Sequence, residues 1–501
     1  MKYILLLFVW LSVSGKSFSQ QITYSEAESN DLRTLNFEII GKIHQNFLIY
    51  KNFRNENYIS VLDAKMDQVN KTNLKFLPEK TLNVDFIVYP DFAWMIYQFQ
   101  RRNIVHCMAV KINEDGKLLT DPFELDTTSI SFFANNKIYS TIKSEDKSKV
   151  MVYKIQKKND RFNFTTLLFN DSLKLLEKKQ MLTTFDERNN IFSDFFVTNK
   201  GTFVFTKGNK SASRDFIEQL DLVTKHVGQD SFSLTSFNLD GNLLDEIKLK
   251  VDNQNGNYLI NSFYYTKRRG NVEGLYTAVY NETNNVLSVQ KFLLFSDALR
   301  QQAKSEGNNR TAFNDFFIRD VNLKKDGGFI LTTEDFYSQG RSNPWNRYDY
   351  LYGSPYFSPY YFNYNSPYSN GYYNNRFFNS SQVRYYYNNL LVLSMSPSGD
   401  IEWSEVIRKS QYDDDNDNYL SYALMLTGGQ LHYLFNEVER RSQMLNDQSI
   451  NGDGKLNRNP PLRGLDRGYE FMARYGHQVS TNEIIIPCTY RNYIVFAKIE
   501  Y

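Results

Sequence analysis

The sequence predicts an all-β fold: a single β-propeller of eight four-stranded blades, with seven as the alternative, interrupted by one Tyr-rich insertion. Three observations lead there. Runs of β-forming residues, mostly alternating apolar and polar, recur at eight places and begin 45 to 70 residues apart, or 102 where the insertion falls. Each is followed by further runs across tips carrying Asn, Asp and Gly, which supply the positive φ of tight hairpins. Helical periodicity is scarce, confined to residues 215–223 and 297–306. Four antiparallel strands per ~40–50 residues is the spacing of propeller blades, each of which needs a neighbour to cover its faces. Two open β-sandwiches, or two smaller propellers in tandem, are the competing arrangements.

The 501 residues are 41% hydrophobic, 16% aromatic and 23% charged, with 24 Gly, 11 Pro and 2 Cys. That is too apolar for a disordered chain, too poor in Cys for a disulfide scaffold and too poor in Gly and Pro for a fibre. Residues 1–19 read as a secretory leader. Lys2 precedes the apolar run Ile4 to Val13, and Ser17 and Ser19 lie before Gln20 at peptidase spacing. The run is too short to span a bilayer, which takes about 20 residues. No later segment is a transmembrane candidate. Loss of the leader removes Lys2 and Lys16, which levels 58 basic against 56 acidic residues. A balanced chain lacks the basic excess of nucleic-acid binders.

The propeller is expected over residues 20–501. The repeated runs are Asn46 to Tyr50, Phe92 to Tyr97, Lys137 to Ile142, Thr202 to Thr206, Tyr258 to Phe263, Gly328 to Thr333, Gln430 to Phe435 and Glu483 to Cys488. An apolar run often precedes them, as at Val84 to Tyr89 and Phe316 to Val321. The last unit stops at Tyr493 to Tyr501, one strand short. Gln21 to Tyr24 is expected to supply that strand and lock the ring. Ser338 to Asn389 breaks the rhythm: 52 residues hold 13 of the 36 Tyr and 4 of the 11 Pro. It reads either as an aromatic recognition surface or as a low-complexity loop, and its many rings favour packing over the propeller.

Asp326 to Thr333, the insertion, Leu390 to Trp403 and Arg408 to Gln411, together with Ser262 to Gly270 and Leu275 to Val279, carry a resemblance. Over Thr165 to Tyr501 the chain resembles secreted β-propeller-like proteins of Bacteroidota-type Gram-negative bacteria with no known activity. The resemblance implies a cell-envelope location and no site residue. The Leu391 to Trp403 hairpin is also similar to a blade of quinoprotein or outer-membrane-assembly propellers, without implying a quinone.

Motifs of chemistry are mostly missing. The five histidines, His44, His106, His226, His432 and His477, fall at no metal spacing, and His106 and His432 sit in strands as structural residues. There is no phosphate loop, dinucleotide fingerprint or nucleophile elbow. Asp413, Asp415 and Asp417 form a weak calcium candidate, off the EF-hand pattern. Glu334-Asp335 and Asp186-Glu187 are the carboxylate pairs to test for catalysis, both expected to be exposed. Cys107 and Cys488 are expected to stay apart as buried thiols. No cofactor is expected.

Two functions follow. The first is a non-catalytic envelope binding or scaffold protein, located in the periplasm, at the outer membrane or on the cell surface. It would contact a protein partner through a propeller face and Trp345, Tyr348, Tyr350, Tyr352, Tyr356, Tyr360, Tyr361, Tyr372 and Tyr373. The second is a glycan-active hydrolase or lyase with a propeller-face pocket. Nucleic acid is excluded as a partner, and the oligomeric state is open.

Overall fold

A computed structural model describes residues 20–28, 35–53, 56–78, 81–130, 137–158, 161–186, 189–210, 216–268, 270–304, 312–340, 347, 351, 383–414, 416–439, 442–462, 468–491 and 493–501. The leader read at residues 1–19 lies outside them. Nearly every described element is an antiparallel strand, and the strands group into eight blades, the fourth and fifth joined into one nine-stranded sheet by Leu243–Leu244. Blade 1 comprises Leu35–Ile43, Asn46–Phe53, Glu56–Leu62 and Gln68–Asn73; blade 2, Thr81–Val88, Ala93–Arg101, Ile104–Ile112 and Phe123–Ser129. Blade 3 comprises Tyr139–Lys143, Lys149–Lys158, Arg161–Asn170 and Leu175–Leu182; blade 4, Asn190–Val197, Phe203–Lys210, Ile217–Lys225 and Ser233–Phe237. Blade 5 comprises Lys248–Asp252, Asn257–Tyr265, Gly274–Asn281 and Val286–Leu294; blade 6, Phe316–Leu323, Phe329–Gly340, Val383–Met395 and Ile401–Ile407. Blade 7 comprises Ala423–Thr427, Gln430–Glu439, Ser442–Asn451 and Leu456–Arg458. In blade 8, Tyr469–Phe471 and His477–Gln478 pair with Glu483–Tyr490, and Tyr493–Glu500 follows. Gln21–Tyr24 completes that blade by pairing antiparallel with Tyr493–Glu500, Ile22 opposite Ile499.

Packing between blades shows that the ring closes. Eight apolar clusters fill the eight junctions. Ile40, Leu48 and Val61 of blade 1 meet Val84 and Met95 of blade 2. Phe37, Phe47 and Ile49 of blade 1 meet Ile485, Ile494 and Phe496 of blade 8. The junction of blades 3 and 4 is largely phenylalanine: Phe162, Phe164, Phe192, Phe203 and Phe205. A sheet buried on both faces loses clean alternation, and Gly274–Asn281 is buried at seven of its eight positions.

The strand order gives the ring two unlike faces. One carries the tight turns between first and second and between third and fourth strands. Its neighbours are laced together. The His44 amide donates to Pro90 O at 3.2 Å, the Tyr89 hydroxyl to Lys147 O at 2.9 Å, and the Asn199 amide to Asn253 Oδ1 at 2.8 Å. The other, the loop face, carries the turns between second and third strands and every blade-to-blade connection. Over blades 5 to 7 it bears a short helix, Asp297–Ala303, capped by Ser296, and the insertion.

The run Lys137 to Ile142 forms the inner strand of blade 3, Tyr139–Lys143, with Lys149–Lys158 second. Two expectations need correction. Of residues 215–223, the described part, 216–223, forms no helix, since Ile217–Lys225 is a central strand whose contact with Phe203–Lys210 shifts register at Lys210. The ends of the Ser338 to Asn389 stretch belong to the hairpin, because Phe329–Gly340 and Val383–Met395 pair as far as Gly340 opposite Val383.

Candidate functional site

The loop face over blades 5 to 8 is built around the root of the insertion. Strands Phe329–Gly340 and Val383–Met395 rise beyond the blade body, and Gln411–Asp413 adds to the edge, with Tyr412 opposite Tyr386. Aromatic rings line this root. Tyr337 stacks on Tyr386 at 4.5 Å, Tyr412 lies 6.3 Å from Tyr386, and the Arg384 guanidinium sits 5.0 Å over the Tyr412 ring. Arg384 also pairs with Asp414 through two nitrogens. Tyr412 is 62% exposed whereas Tyr337 is 8% exposed, so the root presents the Tyr412 ring to solvent.

Two described residues of the insertion reach down into the propeller. Arg347 is 6% exposed, and its Nε donates to Asp245 Oδ2 at 2.7 Å; the Tyr265 hydroxyl donates to the same oxygen at 2.8 Å. The guanidinium stacks 3.9 Å from the Phe317 ring. Leu351 packs against the cluster of Phe317, Phe336, Tyr387 and Leu420. A buried guanidinium is tolerated only with a paired carboxylate, so this pair pins one end of the insertion to blades 5 and 6.

Beneath the root lies a buried polar network. Glu334 is fully buried: it pairs with Lys409 at 2.8 Å and Arg319 at 3.3 Å, and accepts from Ser421 Oγ at 2.8 Å. Burial pulls the Lys409 ammonium below its usual pKa, with the Glu334 charge opposing. Lys409 also donates to Tyr387 O and Gln411 Oε1. Asp335, 3% exposed, accepts from Asn388 Nδ2 at 3.2 Å. The expectation that Glu334-Asp335 is exposed is therefore corrected. Glu334 ties blade 6 to Ser421 at the entry to blade 7, Asp335 contacts Asn388 within blade 6, and both are buried. Asp186 accepts from Asn189 Nδ2 at 2.8 Å, and Glu187 lies outside the described residues.

The acidic run divides. Asp417 pairs with Arg474 and accepts from the Tyr387 hydroxyl at 2.8 Å. Burial alone would raise this carboxyl, but the Arg474 charge and the hydrogen bonds outweigh it and hold it below the usual range. Asp413 Oδ1 accepts from the Asn416 amide at 3.0 Å. The cation that Asp417 faces is a guanidinium. Asp415 lies outside the described residues, among which no group of three or more His, Cys, Asp or Glu is placed to hold a metal. Trp345, Tyr348, Tyr350, Tyr352, Tyr356, Tyr360, Tyr361, Tyr372 and Tyr373 also lie outside them. Sequence reasoning missed Tyr337, Tyr386, Tyr412, Arg384 and Arg347. The triple Tyr385-Tyr-Tyr387, read as loop, carried the signal of a strand.

His432, 5% exposed, contacts the fully buried Asp447 at 3.1 Å, and His106 meets Glu124 at 2.8 Å and stacks on Phe99. Both are structural, as expected. Cys107 and Cys488 are free and buried, one at the junction of blades 2 and 3, the other at that of blades 7 and 8. Burial pushes both thiols well above their ordinary pKa, which leaves them unreactive.

No protein-family pattern matches the chain, and no curated protein matches it. Solved structures do resemble it. Polysaccharide lyase Uly1 is 10% identical, with a TM-score of 0.39, over 83% of this chain and 89% of the other. The β-propeller domain of the Trilobed protease from Pyrococcus furiosus is 10% identical, with a TM-score of 0.35, over 87% and 97%. Prolyl oligopeptidase B from Galerina marginata is 7% identical, with a TM-score of 0.41, over 92% of this chain but only 56% of its own. Such distant likenesses say nothing of what this chain binds.

Proposed function

We propose that the chain is a non-catalytic binding or scaffold protein of the cell envelope, which takes a protein partner on its loop face. The observation that carries the reading is the construction of the insertion's root. A hairpin stiffened by Tyr337–Tyr386 stacking and an Arg347–Asp245 anchor raises an aromatic, partly exposed surface above blades 5 to 7. Rigid Tyr surfaces bind proteins at low entropic cost. The leader read at residues 1–19 supports export, and no helix among the described residues is long and apolar enough to cross a membrane. Of the carboxylates singled out for glycan chemistry, Glu334 and Asp335 are buried, so this pair lends the hydrolase or lyase reading no support.

The test is affinity isolation from envelope extracts with the full chain and with a variant lacking residues 341–382. In that variant Asp245→Asn removes the carboxylate that Arg347 would otherwise neutralise. A stoichiometric partner held by the full chain and lost by the folded variant is the expected result. Equal capture by both would remove the loop face from consideration.

A further inference from the structure

Arginine is divided unevenly between the two faces of the ring. The turns between second and third strands lie on the loop face, and each of the seven that lack the insertion contains or borders an arginine. These are Arg54, Arg102, Arg161, Arg214, Arg268, Arg440 and Arg491, in blades 1 to 5, 7 and 8. Arg54, Arg214 and Arg440 lie outside the described residues. The tight turns of the opposite face hold no arginine in any blade; their positive charges are lysines, such as Lys65, Lys174, Lys200 and Lys455. A chain whose basic and acidic residues nearly balance therefore gathers its turn guanidinium groups on one face.

Over blades 5 and 6 the exposed arginines have carboxylates of their own: Arg268 pairs with Glu218, and Arg384 with Asp414. On the other half of the ring they do not. Arg491 of blade 8, Arg101 and Arg102 of blade 2 and Arg161 of blade 3 are exposed, and none of the four meets a carboxylate among the described residues. Gln100 Nε2 donates to Arg102 O at 2.7 Å, which fixes the turn at that tip, and the Arg491 guanidinium lies 5.1 Å from the Tyr490 ring. Blades 8, 1, 2 and 3 are consecutive around the ring. Their arginines form an arc on the part of the loop face away from the insertion's root.

We propose that this arc receives an acidic surface of the protein partner, so that the loop face binds by arginine–carboxylate pairs as well as by aromatic contact. The inference rests on the reading of the loop face as a binding surface and adds the partner's chemistry. A guanidinium fork pairs with a carboxylate through two N–H groups, and arginine is enriched in protein interfaces where lysine is depleted. The spacing favours a protein over a lipid surface. Anionic membranes draw dense clusters of about four to eight basic residues. Here one or two arginines stand on each blade, and packed sheets are about 10 Å apart, roughly one Debye length at physiological salt. Exposed acids interrupt the arc, Glu56 at the start of blade 1's third strand and Glu470 in blade 8's first. Mixed charges of this kind repel a uniform anionic sheet and match a patterned protein surface.

The test compares the full chain with two charge-matched variants. One carries Arg101→Gln, Arg102→Gln, Arg161→Gln and Arg491→Gln. The other carries Lys65→Gln, Lys174→Gln, Lys200→Gln and Lys455→Gln, four exposed lysines of the tight-turn face. The probes are poly-L-glutamate, phosphatidylglycerol vesicles and the partner isolated from envelope extracts. Poly-L-glutamate should bind the full chain, bind the arginine variant at least about tenfold more weakly and bind the lysine variant within about twofold of the full chain. All three should share one thermal midpoint, since every substituted side chain is exposed. The envelope partner should follow the same order and be released by added salt. Equal losses in both variants would reduce the effect to net charge and overturn the proposal, as would vesicles binding more tightly than poly-L-glutamate. A partner that needs residues 341–382 yet binds the arginine variant unchanged would leave the loop-face reading standing and overturn this inference alone.

Discussion

At the scale of single residues, position in the ring decides what each side chain can be. Gly454 has φ +80°, and a Cβ there would lie 2.6 Å from the Trp403 ring, whose Nε1 donates to Gly452 O at 3.1 Å. Both the backbone and the neighbouring blade demand glycine. Gly454→Ala should cost about 1–3 kcal/mol, read as a lower urea midpoint. Asp194 illustrates the electrostatic counterpart. Burial raises its carboxyl pKa above 3.8, with Glu246 adding and Lys248 and the Leu249 amide opposing. A folded-state pKa above the unfolded one means that stability is fully present at low pH and is lost as pH rises through the folded value. Asp194→Asn should therefore raise the thermal midpoint at pH 7 and leave it unchanged near pH 3. Asn keeps the acceptor for Leu249 and suits the φ of +54° found there. Equal midpoints at pH 7 would show that the carboxylate is not strained.

At the scale of elements, the Arg347–Asp245 pair explains how an insertion can be carried without loosening the ring. Arg347→Ala leaves Asp245 buried with its charge uncompensated, and should cost about 3–5 kcal/mol. It should also speed protease cleavage within residues 341–382. Adding Asp245→Asn should restore most of the stability but not the protease resistance, since the anchor stays lost. Urea unfolding and limited proteolysis of the two variants separate these effects.

Elements also show what the sequence could and could not reveal. Segments whose signal is local were legible: the closing role of Gln21 to Tyr24 stands as expected. Ile217–Lys225 read as a helix because a central strand buried on both faces has Ile217, Leu220, Leu222 and Val223 inside, a spacing that also fits a helical stripe. Glu334 and Arg347 were illegible as buried charges, since their partners Lys409 and Asp245 lie 75 and 102 residues away.

At the scale of the whole molecule, Gln20 and Tyr501 are both tied to blade 7. Asp447 accepts from Gln20 Nε2, from the Tyr501 hydroxyl at 3.1 Å and from Asn459 Nδ2 at 2.9 Å. Glu28 pairs with the buried Lys51 of blade 1. The first strand thus joins the last blade to the first, and this accounts for eight blades forming one closed ring. Hydrogen exchange on the intact chain tests that closure most directly. If Gln21–Tyr24 pairs with Tyr493–Glu500, the amides of Thr23 and Ser25, which point at the last strand, should exchange as slowly as their hydrogen-bonded partners there, while those of Ile22 and Tyr24 face out from the edge. Exchange of Thr23 and Ser25 at the rate of a free peptide, with Tyr493–Glu500 unprotected along its outer edge, would contradict the closed ring.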